Sequence, residues 1–341
     1  MTNKKLLFGH DEAIVTSIRT LLSGRDLPLY RIMLYQFGWV NEDGREQTSN
    51  GLPLVHGELC MEVAKALSAR REVALSHAAA VEISHKFWQV HVDVADGNPD
   101  RNGRPSVWWT WGPAQAINAG DGMHAMARLA LFKLRDLGLH SEQIAASVGV
   151  LDAAIVLLCE GEYLEISFQE RPVVAIDNYL EMAERRSGAL MGCASRLGVS
   201  AAQLDDSIIG DGLQAFGSYL GLVRHIVDDY ALFWGLGERD QTQQGRLQSK
   251  KKTLPVVHAL THGGATTKRR IGEIYMKRIL EPTDADHLSE LLEEAGSRQF
   301  TLDTANRFRS KASQALIDLG LNDAGSGLKS ALGELAEVPK S

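Results

Sequence analysis

The sequence predicts an all-α protein on three observations. Apolar residues recur at helical spacing along most of the chain, as at Ala127, Leu131 and Leu134. The alternation of β-branched and polar residues that indicates strands is missing. The nine prolines fall mostly between the periodic stretches, where helices are expected to end. With 341 residues, 44% of them apolar, the chain is long enough to form a large helical core.

The same periodicity places the elements in order along the chain. The sequence has no internal repeat and no linker rich in Pro, Gly or Ser, which favours one large helical domain. Loops are predicted at 40–53, 97–107, 162–172 and 236–249. Helices are predicted at 11–23, 28–36, 55–69, 74–96, 112–137, 141–160, 175–197, 202–206, 208–235, 252–262, 266–279, 284–295, 302–318 and 325–336.

Composition and charge argue against several classes of protein. The chain carries 36 basic and 43 acidic residues, and its net charge of −7 argues against a nucleic-acid partner. No uninterrupted apolar run approaches the ~20 residues of a membrane helix, so no integral membrane segment is expected. Cys60, Cys159 and Cys193 are far apart and form no CxxC pair, which argues against zinc and a disulfide framework. A cytoplasmic location is therefore expected.

A first acidic segment closes the helix predicted at 74–96. Asp93 and Asp96 are three residues apart, so they share a helix face just before Gly97 and Pro99 end the helix. The carboxyl end of a helix is already negative, so two carboxylates there need a positive partner. Taken alone, such a pair is more often a solvated surface than a metal site.

A second acidic pair, Asp228 and Asp229, comes late in an apolar helix, and the basic cluster Lys250–Lys252 follows it. Divalent cations such as Mg²⁺ bind a few carboxylates together with substrate phosphates. Two carboxylate clusters, basic residues and an apolar helical interior together predict a diphosphate site above an apolar pocket.

Six short segments share an order that is typical of one enzyme family. They read HVDVAD at 91–96, RNGRP at 101–105, GPAQAINAGD at 112–121, RSGAL at 186–190, GLVRHIVDD at 221–229 and KKTLP at 251–255. In this order they resemble the motifs of the trans-isoprenyl diphosphate synthases, or polyprenyl synthetases. The resemblance implies an isoprenoid synthase (class I terpenoid synthase) bundle around an apolar cavity. It implies one domain over 1–341, with N-terminal helices at 1–50, a catalytic core at 51–262 and C-terminal helices at 263–341.

The resemblance also implies which residues act. The family's catalytic groups correspond to Asp93, Asp96, Arg101, Arg186, Asp228, Asp229 and Lys251. The four aspartates among them would bind Mg²⁺, and the three basic residues would bind an allylic prenyl diphosphate. Further substrate-binding positions are Phe87, Trp88, Gln89, Ser187, Arg224 and His225. Two more carboxylates are candidate polar groups near the cavity, or else face the loop predicted there: Glu162 and Glu165.

The segment that binds isopentenyl diphosphate in the family departs from its pattern. Leu52–Gly57 stands where the family has GKRLRP, so one lysine and both arginines are missing, although His56 occupies one arginine position. Asn102 replaces a further arginine. At roughly 1.5–3 kcal/mol for each charged hydrogen bond, these losses predict that isopentenyl diphosphate does not bind usefully.

The metal-binding motifs depart from the family as well. Val92 replaces the first aspartate of the first motif, and Leu232 replaces the last aspartate of the second. Arg246 replaces an acidic residue that often precedes KTLP. In the family, the residues four and five before the first motif form the floor of the pocket. Here they are Trp88 and Phe87, which implies a shallow pocket for ten- or fifteen-carbon chains.

Three functions remain open on this basis. The leading hypothesis is a terpene synthase that ionises farnesyl or geranyl diphosphate with Mg²⁺ and then cyclises or quenches the carbocation. The alternative is a chain-elongating prenyl diphosphate synthase with an altered isopentenyl diphosphate site. A third is a catalytically silent subunit of a heteromeric prenyl synthase, which Val92 favours. Because the family usually dimerises, a homodimer is expected.

Overall fold

A computed structural model describes residues 10–47, 52–204, 206–235, 241–323 and 327–339 of the chain. A two-stranded hairpin, β1 (Asp100–Arg101) and β2 (Arg104–Pro105), interrupts an otherwise helical order. The helices are α1 (Asp11–Leu22), α2 (Pro28–Gln36), α3 (Val55–Ala66), α4 (Arg71–Asp96), α5 (Val107–Trp111), α6 (Pro113–Phe132), α7 (Ser141–Gln169), α8 (Ile176–Ala183), α9 (Ala189–Ala201), α10 (Ser207–Trp234), α11 (Gln241–Gln248), α12 (Leu254–His262), α13 (Ala265–Met276), α14 (Pro282–Glu294), α15 (Ser297–Asp318) and α16 (Gly327–Leu335).

The core is formed by helices α3, α4, α9 and α10, which are buried along much of their length. Helix α9 packs against both α3 and α10, and α4 packs against α3 and α6. Glycines permit this close packing. A Cβ at Gly198 would lie 2.7 Å from the Cys60 carbonyl oxygen, and a Cβ at Gly217 would overlap the Met191 carbonyl oxygen. The predicted all-α architecture is confirmed.

Two predicted boundaries are wrong. The loop predicted at 162–172 is helical up to Gln169, because the carboxylates in this stretch point inward and pair with an arginine. The described residues of the helix predicted at 202–206, namely 202–204 and 206, are not helical. The chain turns after α9 instead, and Gln203 has a φ of 55°. The Asp206 carboxylate caps α10 instead, accepting hydrogen bonds from the backbone N–H groups of Ile208 and Ile209.

The other predicted loops contain short elements. The stretch 97–107 forms the β1–β2 hairpin, and α5 begins at its end. Most of 241–249 is helix α11, whereas 236–240 of the same predicted loop lies outside the described residues. Residues 48–51 of the loop predicted at 40–53 also lie outside them.

Helices α8 and α9 are joined by one turn of π-helix, Glu184–Gly188. A π turn widens the backbone and changes the direction of the side chains it carries, and such turns are frequent at functional sites. Neighbouring helices approach this turn closely at glycines. A Cβ at Gly161 on α7 would lie 2.7 Å from the Arg186 backbone nitrogen, and one at Gly221 on α10 would overlap the Ser187 carbonyl oxygen.

Helices α6 and α7 expose large apolar side chains to solvent. We call this surface the α6–α7 face; it includes Ile117, Leu129, Phe132, Val156 and Tyr163. Among the described residues, α7 is the one helix that could cross a membrane by length and composition, with a mean hydropathy of 1.9 over its most apolar stretch. Core and interface helices meet the same criterion, so this property alone does not indicate a membrane span.

Candidate active site

The first acidic pair lies where α4 meets the hairpin. Asp93 is buried, and Arg101 on β1 binds it with both ends of its guanidinium group, at 2.7 Å from Nε to Oδ2 and 2.6 Å from Nη2 to Oδ1. Burial raises the pKa of Asp93, although the Arg101 charge opposes this shift. The arginine is the positive partner that the end of α4 requires.

The second aspartate of this pair is linked to α7 by a lysine. Lys251, just before α12, donates from Nζ to Asp96 Oδ2 at 2.7 Å and to Glu165 Oε2 at 2.6 Å. Arg186 of the π turn binds Glu165 at 3.0 Å and Glu162 at 3.0 Å. Burial alone would raise the pKa of Glu165, but Arg186 and Lys251 hold it at about 2. Both glutamates therefore belong to the site.

The second acidic pair separates into one buried and one exposed carboxylate. Asp229 is 1% exposed, whereas Asp228 faces solvent. Asp229 Oδ1 accepts from Arg246 Nη2 at 2.6 Å, and its Oδ2 accepts from the Leu254 backbone N–H at 2.8 Å and from the Tyr179 hydroxyl. The N-terminus of α12 thus adds its positive dipole to this carboxylate.

A chain of hydrogen bonds connects Asp229 with the π turn. The Tyr179 hydroxyl donates to Asp229, so His225 Nε2 donates to that hydroxyl at 3.1 Å. His225 Nδ1 then accepts from the Ser187 hydroxyl at 2.8 Å. Burial lowers the pKa of His225, which keeps the ring neutral as this arrangement requires. Burial, followed by the nearby Asp229 charge, raises the pKa of Tyr179.

The three residues predicted to line the pocket point in different directions. Trp88 faces the site, with the Arg186 guanidinium carbon 5.3 Å from its ring centre. Phe87 packs toward α6, where its ring centre is 4.8 Å from that of His124. The Gln89 amide nitrogen lies 3.2 Å from Nε2 of His85.

A second group of polar side chains lies on α3 and α4, together with Arg224 of α10. We call it the basic cluster: His56, His85, Lys86 and Arg224 around the buried Glu82. Glu82 Oε2 accepts from the His56 backbone N–H at 3.1 Å, and its Oε1 lies 3.3 Å from His85 Nδ1 and 3.7 Å from Lys86 Nζ. Nδ1 of His56 is buried without a hydrogen-bond partner.

The charges of the basic cluster indicate an anion rather than a cation. The ligand atoms of His56, Glu82 and His85 lie within 4.8 Å of one another, a spacing that could hold a metal ion. Burial lowers the pKa of both histidines, and the Lys86 and Arg224 charges lower it further. Burial also lowers the pKa of Lys86, although the Glu82 charge opposes this shift. Because the basic groups outnumber the one carboxylate, Glu82, an added anion is favoured over a divalent cation.

Sequence reasoning missed most of this cluster. The available signal was a polar stripe on α4: Glu82, Lys86, Gln89 and Asp93 are spaced by four, three and four residues, which places them on one helix face. Polar residues along one face of an otherwise apolar helix indicate a lined cavity or a buried network. Arg224 was predicted as a substrate-binding residue, and its charge acts on the same histidines.

The carboxylates differ in how well they suit Mg²⁺. Oxygen donors at the end of α4, Asp93 and Asp96, are the ligand type that Mg²⁺ prefers, and the exposed Asp228 is of the same type. Each α4 carboxylate binds a basic side chain. A metal ion could replace that side chain at the carboxylate, and a phosphate could replace the carboxylate at the side chain. Asp229 does not suit a metal ion, since both of its oxygens are already bound in a buried position.

Comparison with known proteins identifies similar chains. The polyprenyl synthetase family model matches residues 50–294. A (2E,6E)-farnesyl diphosphate synthase of Mycobacterium tuberculosis is 30% identical over 92% of this chain and 86% of its own length. A geranylgeranyl diphosphate synthase of the same species is 32% identical over 85% of this chain and 82% of its own. The crystal structure of a polyprenyl synthetase from Streptomyces coelicolor superposes with a TM-score of 0.82, 31% identity and 96% coverage of both chains.

Proposed function

The chain belongs to the polyprenyl synthetase family, and from that premise we propose that it elongates an allylic prenyl diphosphate with isopentenyl diphosphate. The observation that carries this proposal is the presence of two separate basic sites on one buried face of α4. One lies at the aspartates, and the other is the basic cluster. A terpene synthase needs to hold one diphosphate, whereas chain elongation needs to hold two.

The terpene synthase hypothesis from the sequence is wrong. The chain is an enzyme of the polyprenyl synthetase superfamily with the all-α isoprenoid synthase fold, and its relatives are named farnesyl and geranylgeranyl diphosphate synthases. That hypothesis rested on the basic residues lost at 52–57 and at Asn102. The charges of Lys86 and Arg224, which act on His56, support binding of a second diphosphate despite those losses.

The first diphosphate would bind at the α4 aspartates, Asp93 and Asp96, together with Arg101, Arg186 and Lys251, a group that we call the upper site. Arg101, Arg186 and Lys251 each bind a carboxylate in the absence of substrate, so each can exchange it for a diphosphate oxygen without being rebuilt. Asp93, Asp96 and Asp228 would hold Mg²⁺. When bound, Mg²⁺ supplies positive charge that stabilises the departing diphosphate.

The second diphosphate, that of isopentenyl diphosphate, would bind at the basic cluster. Lys86 and Arg224 would supply charge, and the imidazole of His56, whose Nδ1 has no partner in the fold, would donate a hydrogen bond. In the reaction, the allylic carbon–oxygen bond breaks, a carbon–carbon bond forms and the isopentenyl unit loses a proton. Inorganic diphosphate is released. The apolar surroundings of the cluster keep water away from the carbocation.

Two further features belong to this proposal. Trp88 would limit the product to a short chain, because its large ring faces the site, whereas Phe87 is directed toward α6. Two copies would pair through the α6–α7 face. That face is apolar, and Arg128 of α6 binds Asp152 of α7 within it at 2.8 Å, so two copies meet without like-charge repulsion.

The test is a product assay with and without the second substrate. We expect the purified protein, given Mg²⁺, geranyl diphosphate and labelled isopentenyl diphosphate, to form a longer labelled diphosphate. K86A and R224A should raise KM for isopentenyl diphosphate by about tenfold or more, with little change in KM for the allylic substrate. A hydrocarbon formed without isopentenyl diphosphate, or no turnover at all, would contradict the proposal.

A matched pair of variants tests the upper site. Arg186 points into the site, whereas the adjacent Arg185 points outward and binds Glu181 at 2.7 Å and Glu160. We expect R186A to lower kcat/KM for the allylic substrate by about a hundredfold or more, because it removes two charge-assisted contacts. R185A should leave kcat/KM nearly unchanged.

A further inference from the structure

The buried carboxylate of the second acidic pair is already held by three donors. Oδ2 of Asp229 accepts two hydrogen bonds, from the Leu254 backbone N–H and from the Tyr179 hydroxyl. Its Oδ1 accepts the Arg246 guanidinium at 2.6 Å, and the whole residue is 1% exposed. A carboxylate oxygen offers two lone pairs, so Oδ2 is saturated and Oδ1 already faces a cation.

The cation that binds Asp229 is an arginine, although the resemblance to the family predicts an acidic residue at its position. Arg246 occupies a position where the family often has an acidic residue, so the local charge changes by two. Its guanidinium is 24% exposed on one side and lies near the carboxylates of Asp228 and Glu165 on the other. A partly exposed guanidinium next to the site can bind Asp229 and a diphosphate oxygen together, because it has five N–H donors.

Releasing Arg246 to admit a metal ion would be costly. Arg246 would then lose its carboxylate partner, and the ion would have to shed water to enter a position that is 1% exposed. Val92 and Leu232 stand where the family has aspartates. Each replacement removes a negative charge that a bound cation would neutralise, so both also disfavour a metal ion here.

We propose that Arg246 takes the place of a divalent ion at Asp229, the buried member of the second acidic pair. Asp229 is then a positioning residue that fixes Arg246, Tyr179 and the start of α12, and it is not a metal ligand. Metal ions are held by the α4 aspartates and Asp228. This inference rests on the proposed function, because it assigns the charges that surround the first diphosphate.

The experiment counts metal ions rather than products. Mn²⁺ binding to the full chain is measured by calorimetry and electron paramagnetic resonance, with inorganic pyrophosphate as the anion. We expect D229N to bind the same number of Mn²⁺ ions as the unchanged chain. D96N should lose an ion or weaken Mn²⁺ binding by about tenfold or more, because it removes a ligand. R246Q should gain one ion per subunit, and R269Q, an exposed arginine on α13, should gain none.

Each outcome decides the inference. It is overturned if D229N loses an ion as D96N does, or if R246Q binds the same number as the unchanged chain. Should R246Q fail to fold, the comparison of D229N with D96N still decides. If D229N also fails to fold, the Mn²⁺ bound to the unchanged chain decides the inference. Its hyperfine and water-exchange signals must show no carboxylate ligand from α10 other than Asp228. The elongation assay is separate, so a chain that elongates but fails this test contradicts only the role of Arg246.

Discussion

Glu58 on α3 is a buried carboxyl group whose two oxygens have no hydrogen-bond partner. Burial, followed by the nearby Asp11 charge, raises its pKa from an ordinary 4.5 to about 9. The folded protein therefore holds a proton on Glu58 at neutral pH that the unfolded chain releases. Since the folded state binds more protons between these two values, this group makes the protein less stable as the pH rises from 4.5 toward 9.

Replacing Glu58 with Gln removes this pH-dependent cost. We expect E58Q to be more stable than the unchanged protein by about 1–3 kcal/mol at pH 8, and the gain to shrink toward pH 5. Urea unfolding at pH 5, 6.5 and 8 measures it. E290Q, an exposed glutamate on α14, serves as the control. Parallel stability curves for E58Q and the unchanged protein would show that Glu58 is ionised in the fold.

Trp88 lies at the boundary between the proposed diphosphate site and the apolar interior. Its ring lies under Arg186, and its indole nitrogen has no hydrogen-bond partner. We expect W88A to lengthen the main product by at least one five-carbon unit, because removing the ring opens space behind the allylic chain. Mass spectrometry of the products measures this. W109A, whose side chain is 62% exposed, should leave the product length unchanged. If W88A forms a product of unchanged chain length, a residue other than Trp88 forms the floor of the pocket.

At the scale of elements, the π turn between α8 and α9 is the part of the fold most closely tied to the site. It carries Arg186 and Ser187, and it is held between α7 and α10 by close approaches at Gly161 and Gly221. A methyl group at either glycine meets backbone atoms, which cannot rotate away as a flexible side chain can. Packing at these two positions therefore positions Arg186 and Ser187 in the proposed diphosphate site.

We expect G221A to destabilise the protein by about 1–3 kcal/mol and to lower turnover, because the added methyl group displaces the Ser187 carbonyl and the arginine beside it. Thermal unfolding and the elongation assay measure the two effects. Gly272 on α13 has no neighbouring atom near its missing Cβ, so G272A should instead stabilise the protein by up to about 1 kcal/mol. Equal melting temperatures for the two variants would rule out the close approach at Gly221.

Long helices such as α4 and α10 were predictable, since their apolar periodicity continues over many turns. The end of α7 was not, because Glu162 and Glu165 resemble loop residues until Arg186 is placed beside them. Contacts that join distant parts of the chain, such as that of Lys251 with Asp96, depend on the complete packing and leave no mark on local sequence.

For the molecule as a whole, the exposed apolar surface is concentrated on α6 and α7. Phe132 is 55% exposed and Tyr163 is 72% exposed, and both belong to the α6–α7 face. A surface of this kind in water favours association, and closed pairing of two identical faces buries it without leaving a second open face. We expect the protein to sediment at about the mass of two chains.

Charges placed on this face should separate the two copies. We expect the double variant L129E/F132E to sediment as a single chain at micromolar concentration, because pairing would bury four unpaired carboxylates. M276E carries its charge on α13, where Met276 is 87% exposed and outside the face, and it should remain paired. A single-chain mass for the unchanged protein would refute the pairing, and a two-chain mass for L129E/F132E would move the interface to another surface. Because Arg186 and the π turn pack directly against α7, loss of pairing should also lower turnover.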